Sequence, residues 1–308
     1  MKTLLLIPIC SLALTISLNA QFQQVTQGAG YANQVYYDIA TNTSTTITHE
    51  DWDIAFGVSG FSSSVVVNEG VISSQSDPAQ QIELYASSAT DFTTADTSQI
   101  TERIHNNEVS WEAGAFNHVA IPGDPFDLGW GSYNPATQTV NGSRVFFLLG
   151  RDGVYRKLMI ESLISGVYTF RHALLDGSEE MMVTVDKTAF IGKNMAYYSF
   201  NDGVVDLEPT DWDLLFTRYT TPLPDDEGNI LQYTVTGVLH NIGIGVAELS
   251  GVDPETTETP LSKDEYDETL NVIGFDWKSF DLSTFSWSIP EDLVYFVRNE
   301  EDQVWRIQ

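Results

Sequence analysis

The sequence predicts an all-β protein that contains two tandem copies of one antiparallel β unit. Its apolar segments are short, and they either alternate with polar residues or are rich in β-branched and aromatic residues, as at 65–67, 81–85 and 167–170. Asp152-Gly153 and Asp202-Gly203 are typical of two-residue hairpin turns. No segment keeps helical periodicity for three turns, so strands are expected throughout.

The duplication is indicated by four motifs that recur in the same order. Trp52 and Trp212 are the centres of the first motif, a Tyr-Tyr pair followed by Asp-Trp-Asp-x-x-Phe. Their separation is far longer than the roughly 20–50 residues of a solenoid repeat, so the repeated unit is a whole domain. The other motif pairs are 128–134 with 274–281, 145–148 with 294–297, and 154–158 with 304–307.

The first element along the chain is a signal peptide, predicted at 1–20. Lys2 precedes an apolar segment at 4–18, and Leu18-Asn19-Ala20 resembles a cleavage site. The only cysteine, Cys10, lies within it, so the mature chain is expected to form no disulfide. We therefore expect an exported protein that is extracellular or held at the outer-membrane surface.

The mature chain divides into a first β domain at 21–185, a linker at 186–193 and a second β domain at 194–308. In the first copy, two further strands follow the last motif, whereas the sequence stops after Ile307-Gln308. A β unit without those strands would expose an edge, so we expect either an incomplete second copy or a longer chain, and the edge favours the longer chain.

The formal net charge of -29 bears on which partners the protein can have. A surface this acidic repels phosphate backbones, so nucleic-acid binding is not expected. After residue 20 no apolar segment is long enough to span a bilayer. The partners that remain are a small ligand or another surface or secreted protein.

Three parts of the sequence resemble the HmuY-like family of secreted Bacteroidetes proteins, and the resemblance extends over 35–173 and 196–307. The three parts are 203–205 followed by 211–219, 144–158 followed by 166–170, and 89–95. The resemblance implies an all-β fold and a location outside the cytoplasm. In the best-known members it also implies haem capture by two axial side chains on neighbouring loops.

The resemblance places one haem ligand shortly after the Gly-Trp motif, but neither 130–135 nor 277–282 contains His or Met. The other ligand lies further upstream in the family, where this chain has His105. Imidazole and phenolate both ligate haem iron, so His118 or Tyr133 could supply the second bond. The second copy has no His or Met from Ala247 onward and is expected to bind no haem.

The sequence is compatible with two alternative functions. One is a non-catalytic binding protein for haem or a related tetrapyrrole, and the other is a structural or adhesive surface module that keeps the fold without a ligand. No enzyme is expected, because the chain has no nucleophile-elbow or zinc-protease motif and its carboxylates are too abundant to indicate a catalytic pair. Trp52 and Trp212 are expected in the core with their flanking Asp residues outward, although Asp-Trp-Asp also occurs in sugar sites.

Overall fold

The computed structural model describes residues 23–71 and 81–308, so the predicted signal peptide and Cys10 lie outside the described residues. Within these ranges every regular element is a β-strand or a short 3-10 helix, which confirms the all-β prediction. The 3-10 helices are Ala29–Tyr31, His49–Asp51, Thr97–Gln99, Ala115–Asn117, Lys187–Phe190 and Lys263–Glu265.

The strands follow the two copies along the chain. Those of the first copy are β1 (Asn33–Asp38), β2 (Thr43–Thr48), β3 (Ile54–Gly57), β4 (Val65–Val67), β5 (Glu83–Ser87), β6 (Ile100–Ile104), β7 (Gly131–Asn134), β8 (Thr139–Gly142), β9 (Phe146–Leu149), β10 (Tyr155–Ile164), β11 (Val167–Leu174) and β12 (Met181–Asp186). Those of the second copy are β13 (Met195–Ser199), β14 (Gly203–Val205), β15 (Leu214–Pro224), β16 (Ile230–His240), β17 (Gly245–Ser250), β18 (Ser279–Asp281), β19 (Ser286–Ser288), β20 (Leu293–Arg298) and β21 (Val304–Ile307).

The two copies exchange their first strands. One four-stranded sheet has the order β16-β15-β1-β2, and another has the order β14-β13-β3-β4. Strand β1 of the first copy thus pairs with β15 of the second, with Tyr36 opposite Leu215. Strand β13 of the second copy pairs with β3 of the first, with Tyr197 opposite Ala55. Because these registers are equivalent in the duplicated sequence, the exchange is reciprocal.

Aromatic packing repeats on both sides of this exchange. Tyr36 meets Trp212 edge to face at 5.0 Å between ring centroids, and Tyr197 meets Trp52 in the same way at 5.0 Å. The hydroxyls of Tyr36 and Tyr197 hydrogen-bond to each other where the copies meet. All four side chains are buried, which confirms the expectation that both Trp residues are core anchors.

The exchange bears on the predicted domain organisation. The predicted linker at 186–193 contains a 3-10 helix, and the strand that follows it returns to the sheet of the first copy. Ala196 and Tyr198 belong to the same buried cluster as Ile54 and Phe56 of the first copy. The prediction of two separate tandem domains is therefore not confirmed, because the sheets join the copies.

The remaining strands preserve the duplication outside the exchanged sheets. The first copy has a sheet of order β12-β11-β10-β9-β5-β6, joined by the β7-β8 hairpin, and the second has β17-β20-β21 and the β18-β19 hairpin. Leu158 pairs with Phe146, and Ile307 pairs with Tyr295 in the equivalent register. The last residues of the motif pair 154–158 and 304–307 thus occupy equivalent strand positions.

The expectation that the Asp residues beside the Trp anchors face outward is wrong for Asp53, which is 3% exposed. Its carboxylate accepts hydrogen bonds from Arg151 Nε at 3.0 Å and from the backbone N–H of Phe200 at 2.8 Å. Asp213 repeats the second contact by accepting from the backbone N–H of Ile39 at 2.7 Å. Asp53 is buried and Asp213 half-buried because both carboxylates satisfy backbone donors where the exchanged strands end.

Candidate functional site

A cavity of about 80 Å³ lies where the two copies meet, beside the exchanged strands. The first copy contributes the segments around His49, Asn68 and Asn106, and the second contributes β13 and β15. Much of the wall is apolar or aromatic, with side chains from Trp52, Trp111, Met195, Tyr197, Leu215 and Leu239. The cavity therefore exists only because the copies share their sheets.

Local structure in the first copy directs His49 inward. Thr48 caps the 3-10 helix His49–Asp51, because its hydroxyl accepts from the backbone N–H of Glu50 and its own N–H donates to the Asp51 carboxylate. The Asn68 side chain donates to the His49 carbonyl at 2.7 Å. The imidazole packs against Gly70, where a Cβ atom would lie 2.1 Å from Nδ1, so this position requires glycine.

Several polar atoms around the cavity have no hydrogen-bond partner among residues 23–71 and 81–308. They are both ring nitrogens of His49, Trp52 Nε1, the Tyr219 hydroxyl, the Thr220 hydroxyl and Glu108 Oε2, and all five residues line the cavity. His49, Trp52, Tyr219 and Thr220 are 3%, 8%, 6% and 4% exposed, respectively. An unsatisfied buried polar group costs about 1–3 kcal/mol, so this cluster favours a bound polar molecule.

The charged side chains that line the cavity are the guanidinium of Arg218 and the carboxylates of Glu69 and Glu108. Arg218 donates to the backbone carbonyls of Gly70 and Gly30. Burial, and then the charge of Arg218, lower the pKa of His49 to about 4, so His49 is neutral at pH 7. A neutral imidazole offers one donor and one acceptor. Burial also raises the pKa of Tyr219 above its ordinary value, so its hydroxyl keeps its proton.

None of the three residues that the family resemblance suggests as haem ligands lines the cavity. His105 follows β6, and its side chain is 15% exposed, with Nδ1 3.0 Å from Glu69 Oε1. Glu69 itself lines the cavity. His118 is exposed at the end of a 3-10 helix, and Tyr133 is half-buried in β7, stacked on Phe126. Haem ligation by these residues stays a prediction.

The part of the chain that the structure describes contains no cluster of three or more His, Cys, Asp or Glu side chains able to hold a metal ion. None of the helices in residues 23–71 and 81–308 is long and apolar enough to cross a membrane. Comparison of the chain with protein-family models, with curated proteins and with solved structures gives no match.

Proposed function

We propose that this protein is a non-catalytic binding protein that takes a small ligand into the cavity between its two copies. The observation that supports this proposal is the cluster of unpartnered polar atoms on His49, Trp52, Tyr219 and Thr220 around one cavity. Buried polar groups in folded proteins are almost always paired, and a few convergent polar groups in an apolar pocket are typical of ligand sites.

A binding role suits these residues better than a catalytic one. A general base works best when its pKa lies near the operating pH. The pKa of His49 is lowered to about 4, so its imidazole is a weak base at neutral pH. The Tyr219 hydroxyl, whose pKa is raised by burial, is equally unsuited to give a phenolate nucleophile.

Removing the unpartnered hydroxyls gives a test that does not require the ligand to be known. We expect Tyr219→Phe and Thr220→Val to leave the free energy of unfolding unchanged within about 0.5 kcal/mol, or to raise it, because neither hydroxyl is paired with any described residue. The measurement is equilibrium denaturation of the ligand-free protein.

Tyr168→Phe is the matched control, because the Tyr168 hydroxyl is buried and donates to the carbonyls of Gly57 at 2.9 Å and Ser62 at 3.1 Å. Its loss should cost about 1–3 kcal/mol. If Tyr219→Phe destabilises the protein as much as Tyr168→Phe does, the Tyr219 hydroxyl has a structural role and the binding proposal is contradicted.

Haem binding at His105 is a second candidate, and the contact between Glu69 and His105 supports it. A carboxylate on Nδ1 fixes the orientation of an imidazole and leaves Nε2 as the ligand nitrogen, as in many metal sites. The cavity of about 80 Å³ is far too small to enclose a tetrapyrrole. Haem would therefore lie on the surface beside His105, with His118 or Tyr133 as the second ligand.

A hemin titration followed at the Soret band tests this second candidate. We expect a spectral shift at micromolar protein that is lost in His105→Ala, and an affinity roughly 10–100-fold lower in Glu69→Gln, which removes the carboxylate charge beside the imidazole. His118→Ala and Tyr133→Phe identify the second ligand. The absence of a spectral change in the parent protein would exclude haem binding. The remaining functions would be binding of another ligand in the cavity, or a structural or adhesive surface module.

A further inference from the structure

The two Trp anchors occupy equivalent positions, but their indole nitrogens have different surroundings. Trp212 Nε1 donates to Glu208 Oε1 at 2.9 Å. The same carboxylate accepts from the backbone N–H groups of Asn194 at 3.1 Å and Met195 at 2.8 Å. Trp52 Nε1 has no partner in the part of the chain that the structure describes, and Trp52 lines the cavity. The second copy thus contains an internal oxygen acceptor that the first copy lacks.

The difference has a simple origin in the sequence. Glu208 lies four residues before Trp212, and the residue four before Trp52 is Thr48. Thr48 uses its hydroxyl to cap the following 3-10 helix. The packing of Tyr197 on Trp52 matches that of Tyr36 on Trp212, so the two indole rings are placed alike. The copies therefore differ in the acceptor beside the indole nitrogen.

We infer that the cavity binds a neutral hydroxylated molecule, such as a short polyol or one edge of a monosaccharide; this inference rests on the proposed function. Trp52 Nε1 needs an acceptor, and Glu108 Oε2 needs a donor. Tyr219 and Thr220 can each donate and accept. A hydroxyl group does both, so a molecule with several hydroxyls satisfies the whole set.

Charged ligands fit these atoms less well. An amine offers donors alone and would leave the Trp52 N–H unpaired. A carboxylate offers acceptors alone, would leave Glu108 Oε2 unpaired, and would be repelled by Glu69, which also lines the cavity. A neutral ligand avoids both costs.

The size and walls of the cavity agree with a small hydroxylated ligand. A volume of about 80 Å³ is several times the roughly 10–15 Å³ that a single water molecule requires. This space holds a three-carbon polyol, or the edge of a sugar ring whose other side faces solvent. The aromatic side chains of Trp111 and Tyr197 give the carbon-bound hydrogens of such a molecule an apolar surface.

The test is a titration of the full chain with glycerol, glucose and galactose, and with alanine, putrescine and acetate, by calorimetry and Trp fluorescence. We expect a hydroxylated probe to bind and the charged probes not to bind. Trp52→Phe and Thr220→Val should each weaken binding about tenfold, the usual effect of one lost hydrogen bond. Glu108→Gln keeps an acceptor and should retain binding, and the remote Tyr168→Phe should leave it unchanged.

Two outcomes would overturn the inference. The first is binding of alanine, putrescine or acetate, sensitive to Thr220→Val, without binding of any hydroxylated probe. The second is the absence of binding by every probe while Tyr219→Phe leaves stability unchanged. In both cases the ligand class is wrong and the proposed binding function stands, whereas a destabilising Tyr219→Phe would contradict the function itself.

Discussion

Replacing Trp212 by alanine is expected to lower the free energy of unfolding by about 3–5 kcal/mol, the range for losing a buried Trp side chain. The ring packs against Tyr36 at 5.0 Å and Trp111 at 6.2 Å between centroids, so the substitution leaves a cavity between strands of different copies. It also removes the donor that Glu208 accepts from, which leaves a buried carboxylate less well paired.

Urea denaturation followed by circular dichroism measures this effect. Trp52→Ala should fall in the same range, because its contact with Tyr197 is equivalent. Trp287→Ala is the matched control, since Trp287 is 54% exposed and its loss should change stability by no more than about 0.5 kcal/mol. A denaturation midpoint for Trp212→Ala that matches the parent protein would show that Trp212 is not a core anchor.

Cutting the chain between the copies is expected to abolish native folding of each part. Residues 23–193 lack β13, the strand that pairs with β3, and residues 194–308 lack β1, the strand that pairs with β15. Each fragment therefore exposes a sheet edge and the buried residues that the missing strand covers. Near-UV circular dichroism should show no native signal for 194–308 alone and a native signal when the two fragments are mixed.

The same experiment separates strand exchange from independent tandem domains. Tandem domains predict that both fragments fold alone, each with its own cooperative transition, and that mixing changes neither. Strand exchange predicts a one-to-one complex whose denaturation midpoint depends on concentration. Two independently folded monomers would show that the exchange is wrong.

The sequence predicts the fold class and the duplication well because both depend on local patterns. Alternation and β-branched runs identify strands, and the repeated motif identifies Trp52 and Trp212 as equivalent anchors. The choice of strand partner is not local. The Tyr-Tyr strands of both copies suit either Asp-Trp-Asp strand, because the copies share these motifs, so the sequence cannot distinguish pairing within a copy from pairing between copies.

The candidate site depends on this choice of strand partner. His49 and Tyr219 belong to different copies and meet at one cavity only through the exchanged strands. Neither residue lies in a recognisable motif for ligand binding. The burial of Asp53 was missed for a similar reason, since its partner Arg151 lies far along the chain. The resemblance that pointed to His105 concerns a loop position, and it predicts nothing about the cavity.

Reciprocal exchange of equivalent strands is the geometry of a domain-swapped homodimer, here contained in one chain. In a homodimer every substitution appears on both sides of the symmetry axis, so both Trp anchors would keep the same surroundings. Fusion into one chain removes that constraint, and the copies have diverged to Thr48 on one side and Glu208 on the other. A symmetric homodimer would have two equal sites, whereas here Glu208 already accepts from one of the two Trp anchors, so the proposed function gives one ligand per molecule.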